Sequence, residues 1–292
     1  MLNVLSYIIL ILMGASFVSI FGNLRRKWPF LTIVNRWMRW ILFSFLITYL
    51  VRKWELSERP FFVLIITFFL LWFLVESILI WFNIRALNRS SISLFPRFTI
   101  NPVDIKWPNL KQFIQLKEFL RSRGFKEEQS IKTTLVGSLA LYSVLYKDST
   151  EKIFLQLLFF PKKNGFSNVY YILTSLSSDG ERYITDNIDL PFGGHAPNDW
   201  FKIRKPLCDS LENLFECHLK RIKASKKSFI AWDSMLLNEV NHQQSILEYY
   251  NIQKGFLNPP NLHDDYGKLT SEGCYRLWKQ FLFLKYVGIS LD

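Results

Sequence analysis

The sequence predicts an α-helical membrane region at the N-terminus, followed by an α+β soluble domain. Hydrophobic runs fill most of residues 1–84, β-branched and aromatic runs come next, and apolar residues at helical spacing dominate the end. The 292 residues suffice for a membrane region and one or two soluble domains. We expect a transmembrane region over 1–84, a basic juxtamembrane linker over 85–107 and an α+β cytosolic domain over 108–292.

Two hydrophobic segments have the length and composition of membrane spans. Residues 5–22 hold eighteen residues without a charge, and residues 60–83 are almost continuous Phe, Leu, Ile, Val and Trp. Trp81 has the position of an interfacial anchor. The first segment lacks a positively charged leader, which favours a retained span over a signal peptide. Three basic residues at the membrane interface follow it instead: Arg25, Arg26 and Lys27.

The segment between these two is ambiguous, because its uncharged core over residues 40–51 is short. Arg36 and Arg39 precede this core, and their long side chains can reach the headgroups from a helix end. Trp37 and Trp40 are typical of the membrane interface. A helix over about 37–51 crosses a locally thinned bilayer, or it stays in the interface or re-enters. The sequence thus predicts three transmembrane helices, or two if this segment does not cross.

Basic residues and cysteines predict the orientation. With three spans, the connection after the first span and the tail lie in the cytoplasm, whereas with two spans the tail lies outside. The cysteine count is odd, which favours reduced thiols in the cytosol over a disulfide framework: Cys208, Cys217 and Cys274. We therefore expect three spans in the cell (inner or plasma) membrane and a cytoplasmic soluble domain.

Glu76 lies inside the last hydrophobic segment. A carboxylate within a membrane is costly, so such a residue marks a functional site or an internal ion pair. Arg39 and Arg36 are the expected partners for structural pairing, and an ion or proton pathway is the alternative. These three residues form the intramembrane charge candidates.

The formal net charge of +12 is concentrated on and beside the membrane region. Residues 1–84 and 85–130 each carry a net charge of +5, whereas residues 131–292 carry only +2. A nucleic-acid-binding protein would concentrate positive charge on its soluble domain, so this distribution argues against that class. It favours attraction to a bilayer with anionic headgroups.

The soluble domain begins with a predicted helix over residues 109–123, which Gly124 closes. A four-stranded antiparallel meander follows, in which Asp179-Gly180 gives a strong hairpin signal. Its predicted strands cover residues 139–146, 153–160, 168–176 and 181–185. Two amphipathic helices are predicted over 206–224 and 233–251. The domain could therefore be subdivided into 108–200 and 206–292.

From Trp232 onward, a helix is followed by Gly255-Phe256-Leu257 and by Leu269-Thr270-x-x-Gly273, which opens a last helix. This order resembles the close of a winged-helix module, in which Gly-Phe-Leu enters a β-hairpin. The resemblance covers about sixty residues. Such modules often bind DNA, but here the candidate recognition helix is acidic and holds no Lys or Arg before Lys254. The resemblance therefore implies a protein-contact module.

Two surface features of the soluble domain are candidate sites. The end of the predicted helix over 206–224 is basic, which complements the helix dipole or forms a patch for lipids or an acidic partner: Lys220, Arg221, Lys223, Lys226 and Lys227. His263 and Asp264, with the loop residue His195, are weak metal or hydrolase candidates, since a required later Asp is missing and turns favour Asp for backbone reasons. We expect no cofactor, no metal and no catalytic residue.

These features favour a non-enzymatic membrane-anchored protein. Its cytosolic domain would bind a protein partner or sense a ligand, as a homo-oligomer or as a subunit of a membrane complex. One alternative is a membrane-perturbing or pore-forming effector triggered through the soluble domain, which the charges at Arg36, Arg39 and Glu76 suggest. The other is an unrecognised metal-dependent hydrolase.

Overall fold

The structure, a computed structural model, describes residues 2–26, 29–103, 107, 111–136, 139–162, 165–233 and 235–291. The chain forms two compact units. The apolar unit comprises Met1–Ala86 together with Trp278–Gly288, and the α+β unit comprises Leu87–Leu277 together with Ile289–Asp292. A segment near the end of the chain, Trp278–Gly288, thus belongs to the unit in which the chain begins.

Three long helices build most of the apolar unit: α1 (Leu2–Arg26), α2 (Pro29–Lys53) and α3 (Phe61–Arg89). Helices α2 and α3 are both long and apolar enough to cross a membrane. Only 22% of the apolar stretch in each is buried, whereas the core helix of a soluble protein would be mostly buried. The apolar stretch described in α1, Ser6–Gly22, is shorter.

The middle hydrophobic segment is longer than predicted. Instead of a helix over 37–51, α2 has 25 residues, because no helix breaker follows Pro29, which suits a first helical position. The predicted linker over 85–107 also begins differently, since α3 continues as a helix to Arg89. The polar residues near 85 do not end the helix, because none of them is Gly or Pro.

A mixed seven-stranded sheet is the centre of the α+β unit. The strands lie in sequence order, and every neighbouring pair is antiparallel except the last, which is parallel. The strands are β1 (Thr99–Ile100), β2 (Lys126–Val136), β3 (Leu139–Lys147), β4 (Phe154–Lys162), β5 (Gly165–Leu176), β6 (Arg182–Asp186) and β7 (Trp200–Arg204). The predicted α+β class of the soluble part is confirmed, but the sheet has seven strands instead of four.

The additional strands have weak sequence signals. Strand β2 reads KEEQSIKTTLV, whose many charged residues disfavour a strand by composition. Strand β7 has five residues and follows a loop rich in Gly and Pro. The connection between β6 and β7 carries the chain back along the sheet, so that the two strands run parallel.

Four helices complete the fold: α4 (Lys111–Ser122), α5 (Leu211–Ser225), α6 (Leu236–Gln253) and α7 (Ser271–Tyr286). Helix α5 begins later than the predicted residue 206, because Ser210 caps it and its Oγ accepts the Asn213 N–H at 3.4 Å. Helix α6 likewise begins after Met235 instead of at 233. Residues 271–277 of α7 belong to the α+β unit and residues 278–286 to the apolar unit.

Helices cover both faces of the sheet. On one face, α4 and α5 contribute Phe113, Leu116, Leu214 and Phe215 to a core that includes alternate residues of β4. On the other face, α6 and the segment before it contribute a second core, which contains Trp232, Leu236 and Val240. Since both faces are buried, β4 is an almost continuous apolar run instead of an alternating one.

The segment that resembles a winged-helix close forms α6, an antiparallel bridge between Leu257 and Leu269, and α7. The side chain of Asn88 at the end of α3 binds both backbone groups of Leu269, at 2.7 and 3.2 Å. Gly273 lies so close to the Phe256 carbonyl that a Cβ at position 273 would be 2.2 Å from its oxygen. The start of α7 is therefore tightly fixed within the α+β unit.

Candidate functional site

The intramembrane charge candidate Glu76 forms an ion pair with Lys285 in the apolar unit. The Lys285 Nζ lies 2.5 Å from the Glu76 Oε2, and the Glu76 side chain is only 14% exposed. Glu76 belongs to α3, which is more apolar than α2. Lys285 belongs to the last turn of α7. An ammonium group next to a partly buried carboxylate is the usual way to keep a charge in an apolar surrounding.

Side chains of α2 cap the end of α7. The Arg36 Nη1 donates to the Lys285 carbonyl oxygen at 2.7 Å, and the Trp37 Nε1 donates to the Tyr286 carbonyl oxygen at 2.7 Å. The last carbonyl groups of a helix have no partner within that helix, so these two bonds satisfy groups that otherwise need water. The guanidinium group also complements the negative end of the helix dipole.

Aromatic rings surround this contact. Trp40 is stacked on Trp37 with ring centroids 5.2 Å apart and on Phe69 with centroids 4.6 Å apart. Tyr286 of α7 packs edge-on against both tryptophans. Trp40 is buried at 5% exposure, and its Nε1 donates to the Phe69 carbonyl at 2.8 Å. In this unit Trp40 therefore joins α2, α3 and α7.

The other membrane candidates are placed separately. The Arg39 side chain is exposed, and its Nε donates weakly to the Asn35 carbonyl at 3.4 Å. Trp81 is 40% exposed on α3, as an interfacial anchor requires. The side chains of Arg25 and Arg26, and the whole of Lys27, lie outside the described residues. The interfacial roles of these residues remain predictions.

The sequence analysis did not predict Lys285 as the partner of Glu76. The expected partners of Glu76 were in α2, whereas Lys285 lies 209 residues further along the chain. One signal was present, since Lys285 interrupts the apolar run FLFLKY near the end of the chain. A cation in an apolar run suggests a buried acidic partner, but the sequence does not say which one.

A second polar cluster lies inside the α+β unit around His218 of α5. Its Nε2 is 3.2 Å from the Ser175 Oγ, and its Nδ1 is 2.8 Å from the Thr185 Oγ1. The three side chains have no solvent exposure. Burial, helped by the positive Arg221, lowers the pKa of His218 to about 3. His218 is therefore neutral at physiological pH and links α5 to the sheet.

The basic patch contains structural and surface cations. Arg221 donates to the Ile184 carbonyl at 2.7 Å and to the Thr185 Oγ1 at 2.6 Å, and burial lowers its pKa. Lys227 forms ion pairs with Asp179 and Glu181 at 3.2 and 2.7 Å. Three further lysines are exposed: Lys220, Lys223 and Lys226. These three are the members of the patch that face solvent.

The weak metal candidates do not form a described cluster. Within the described residues, no group of three or more His, Cys, Asp or Glu side chains could hold a metal ion. Asp264 is exposed in a short 3₁₀ turn, and the side chain of His263 lies outside the described residues. Asn251 binds the backbone N–H and carbonyl of His195, at 2.7 and 2.8 Å. Burial and the positive Arg276 lower the pKa of His195.

The three cysteines are free thiols. Burial raises the pKa of Cys208 and of Cys274, so both favour the protonated and less reactive form.

Comparison with known protein families, curated proteins and solved structures gives no match for this chain. The best-defined candidate site is therefore the contact between Glu76, Lys285 and the caps of α7.

Proposed function

We propose that the protein is a non-enzymatic membrane-anchored protein whose α+β unit lies in the cytoplasm and binds a protein partner or senses a ligand. The observation that carries this proposal is the position of α7. This helix begins in the α+β unit and ends in the apolar unit, where side chains of α2 and α3 bind its last turn. Through this helix, the binding of a partner or ligand at the α+β unit would affect the proposed membrane region.

Helices α1, α2 and α3 are the three proposed spans. The 25 residues of α2 exceed the roughly 20 that a bilayer requires, which supports a crossing of the middle segment. With three spans, the exposed turn after α2 faces the outside and the α+β unit faces the cytoplasm. Exposed apolar side chains on α3, such as Leu70, Leu74 and Phe82, would contact lipid.

Single-cysteine labelling tests this orientation. In a chain whose three native cysteines are replaced by Ser, Glu55→Cys places a thiol in the turn after α2 and Lys220→Cys places one on the α+β unit. An impermeant maleimide added to intact cells should label the first variant, and label the second only after lysis. Labelling of Lys220→Cys in intact cells would instead place the α+β unit outside.

The polar clusters of the α+β unit favour recognition over catalysis. His218 and Ser175 have no exposure to solvent, and both nitrogen atoms of the imidazole are hydrogen bonded. A substrate cannot reach a group that is closed on all sides. The exposed lysines 220, 223 and 226 instead offer a surface for an acidic partner or for anionic headgroups.

Purification of the tagged full chain in mild detergent tests the recognition role. We expect a protein partner to be recovered in a fixed ratio, and to be lost or reduced when Lys220, Lys223 and Lys226 are changed to Glu. The matched control changes the exposed Lys279 on α7 to Glu. Recovery of a lone monomer, with equal composition for all variants, would remove the proposal.

A pore-forming or membrane-perturbing effector is the second candidate, and the buried Glu76–Lys285 pair is the observation that favours it. Charged groups among spanning helices often line ion pathways. Expression of the chain, either unmodified or with its Glu76–Lys285 pair broken by Lys285→Met, should then depolarise the membrane. An intact membrane potential under strong overexpression of both chains would argue against this candidate. No described residue supports the hydrolase alternative.

A further inference from the structure

We propose that the end of α7 is an autoinhibitory latch. In the docked state, Lys285 neutralises Glu76 and the α7 terminus joins α2 to α3. In the released state, Glu76 lacks its cation within the membrane, and copies of the chain assemble because the exposed Arg39 of a neighbouring copy replaces Lys285. This inference rests on the proposed membrane location and deepens the pore-forming candidate by naming its regulation.

Side chains of two helices hold the latch. The ion pair comes from α3, and the two bonds from Arg36 and Trp37 to the last carbonyls of α7 come from α2. These carbonyls are bound by side chains that lie 249 residues away in sequence. The α7 terminus is therefore held by residues distant in sequence, and its release breaks these bonds together.

Release is costly for Glu76 in particular. The Glu76 side chain is 14% exposed, and it lies in the most apolar helix of the chain. When one partner of a buried ion pair leaves, the remaining charge must be solvated or must find another counterion. Spanning helices with such a charge associate or admit water. A second copy of the chain supplies Arg39, which is exposed on α2.

The other half of α7 provides the trigger. In the α+β unit, the Arg276 Nε donates to the Gly193 carbonyl at 2.8 Å, in the loop that connects β6 and β7. A Cβ at Gly193 would lie 2.8 Å from the Arg276 carbonyl carbon, so this loop is in close contact with the α7 backbone. A partner that displaces the loop would move the helix that ends at Lys285.

Four variants of the full-length chain separate the latch from a purely structural contact. Lys285→Met releases Glu76 as an unpaired charge, whereas Glu76→Gln removes that charge and leaves an amide of nearly the same shape. The third variant combines the two changes, and the fourth, Glu76→Lys with Lys285→Glu, exchanges the charges. The control is Lys279→Met, which alters an exposed lysine on the same helix.

Two measurements are made on each variant: the oligomer size after mild solubilisation and the membrane potential of expressing cells. We expect Lys285→Met to raise the oligomer fraction at least about tenfold and to depolarise the cells, because the unpaired carboxylate drives assembly. Glu76→Gln and the double variant should give an oligomer fraction and a depolarisation well below those of Lys285→Met, because no unpaired carboxylate remains. The control should resemble the unmodified chain in both measurements. The charge exchange should restore the docked state at least partly.

Equal effects of Lys285→Met and Glu76→Gln would overturn the latch, because a structural contact is lost in both. An absence of any effect in Lys285→Met would overturn it as well. Partner capture by the α+β unit is measured separately, so the recognition role can survive either result. If the cysteine labelling places the α+β unit outside, the orientation fails while the comparison of the variants still decides the latch.

Discussion

Each unit contains an ion pair that is at least partly buried, and the two pairs differ in how the chain provides them. In the α+β unit, Asp186 and Arg204 are 18 residues apart, on the neighbouring strands β6 and β7. In the apolar unit, Glu76 and Lys285 are 209 residues apart, on two helices. The first pair joins consecutive strands of one sheet, whereas the second joins the last turn of α7 to α3.

The surroundings of the two pairs also differ. The side chains of Asp186 and Arg204 are 2% and 3% exposed, and the Asp186 Oδ1 accepts a further bond from the Ile188 N–H at 3.1 Å. The Lys285 side chain is 31% exposed. The pair in the sheet is therefore closed to water, whereas the pair in the apolar unit is only partly enclosed. The first pair belongs to the core of the sheet, and the second is the pair that the proposed latch would open.

Loss of the sheet pair should have the largest effect. Asp186→Ala removes the carboxylate that accepts from the buried Arg204 guanidinium, so the free energy of unfolding should decrease by about 3–5 kcal/mol. Urea unfolding of the solubilised full chain, followed by tryptophan fluorescence, measures this change. Asp179→Ala, which removes an exposed partner of Lys227, should leave the midpoint unchanged. A small effect of Asp186→Ala would mean that water reaches Arg204.

Alanine substitutions at two glycines, one in each unit, test how tightly the surroundings of each glycine are packed. A Cβ at Gly273 would lie 2.2 Å from the Phe256 carbonyl oxygen, whereas a Cβ at Gly14 meets no atom within 4 Å. Gly273→Ala should therefore destabilise the fold by about 1–3 kcal/mol or more. Gly14→Ala should be neutral or stabilising by up to about 1 kcal/mol, through helix propensity. Thermal unfolding in detergent measures both, and equal effects would contradict the contrast.

The buried His218 makes the stability of the α+β unit pH dependent. Its pKa is lowered from 6.5 to about 3 in the folded state, so the unfolded chain binds more protons between these values. Stability should therefore decrease as the pH falls below 6.5, by about 1.4 kcal/mol for each unit until the folded-state pKa is reached.

Urea midpoints between pH 7 and pH 5 measure this dependence. The variant His218→Gln keeps a polar side chain that does not titrate, so its stability should change less over the same range. Carboxylates contribute to both curves, and only the difference between the curves reports on His218. Parallel curves would show that the imidazole is solvated and not closed within the unit.

The smallest effect is expected for a single cap of α7. Trp37→Phe keeps an aromatic ring beside Trp40 but removes the N–H that binds the Tyr286 carbonyl. The stability should decrease by about 0.5–1.5 kcal/mol. Trp54→Phe, at a 63% exposed position, is the control. Thermal unfolding measures both variants, and a loss above that range would mean that the ring packing also changed.

The helices and strands that local sequence patterns predict lie close to their positions in the structure. The run over residues 60–83 lies within α3 except for its first residue. The four predicted strands match β3 to β6, although two of them, predicted from 153 and 181, begin one residue too early. The helix starts at 206 and 233 were placed too early, because the side chain of Ser210 and the turn before Leu236 decide where the backbone becomes helical. Strands β1, β2 and β7 depend on neighbouring strands, so their own residues indicate them poorly.

By itself, the sequence determined the order of an apolar helical region and an α+β region, because hydrophobic period and composition are local properties. It also identified Glu76 as a residue that needs a partner. Only the tertiary structure decided that this partner is Lys285, that Arg36 and Trp37 cap the last turn of α7, and that Arg221 and Lys227 are engaged within the fold. These contacts join residues far apart in sequence, and no local pattern encodes which distant groups meet.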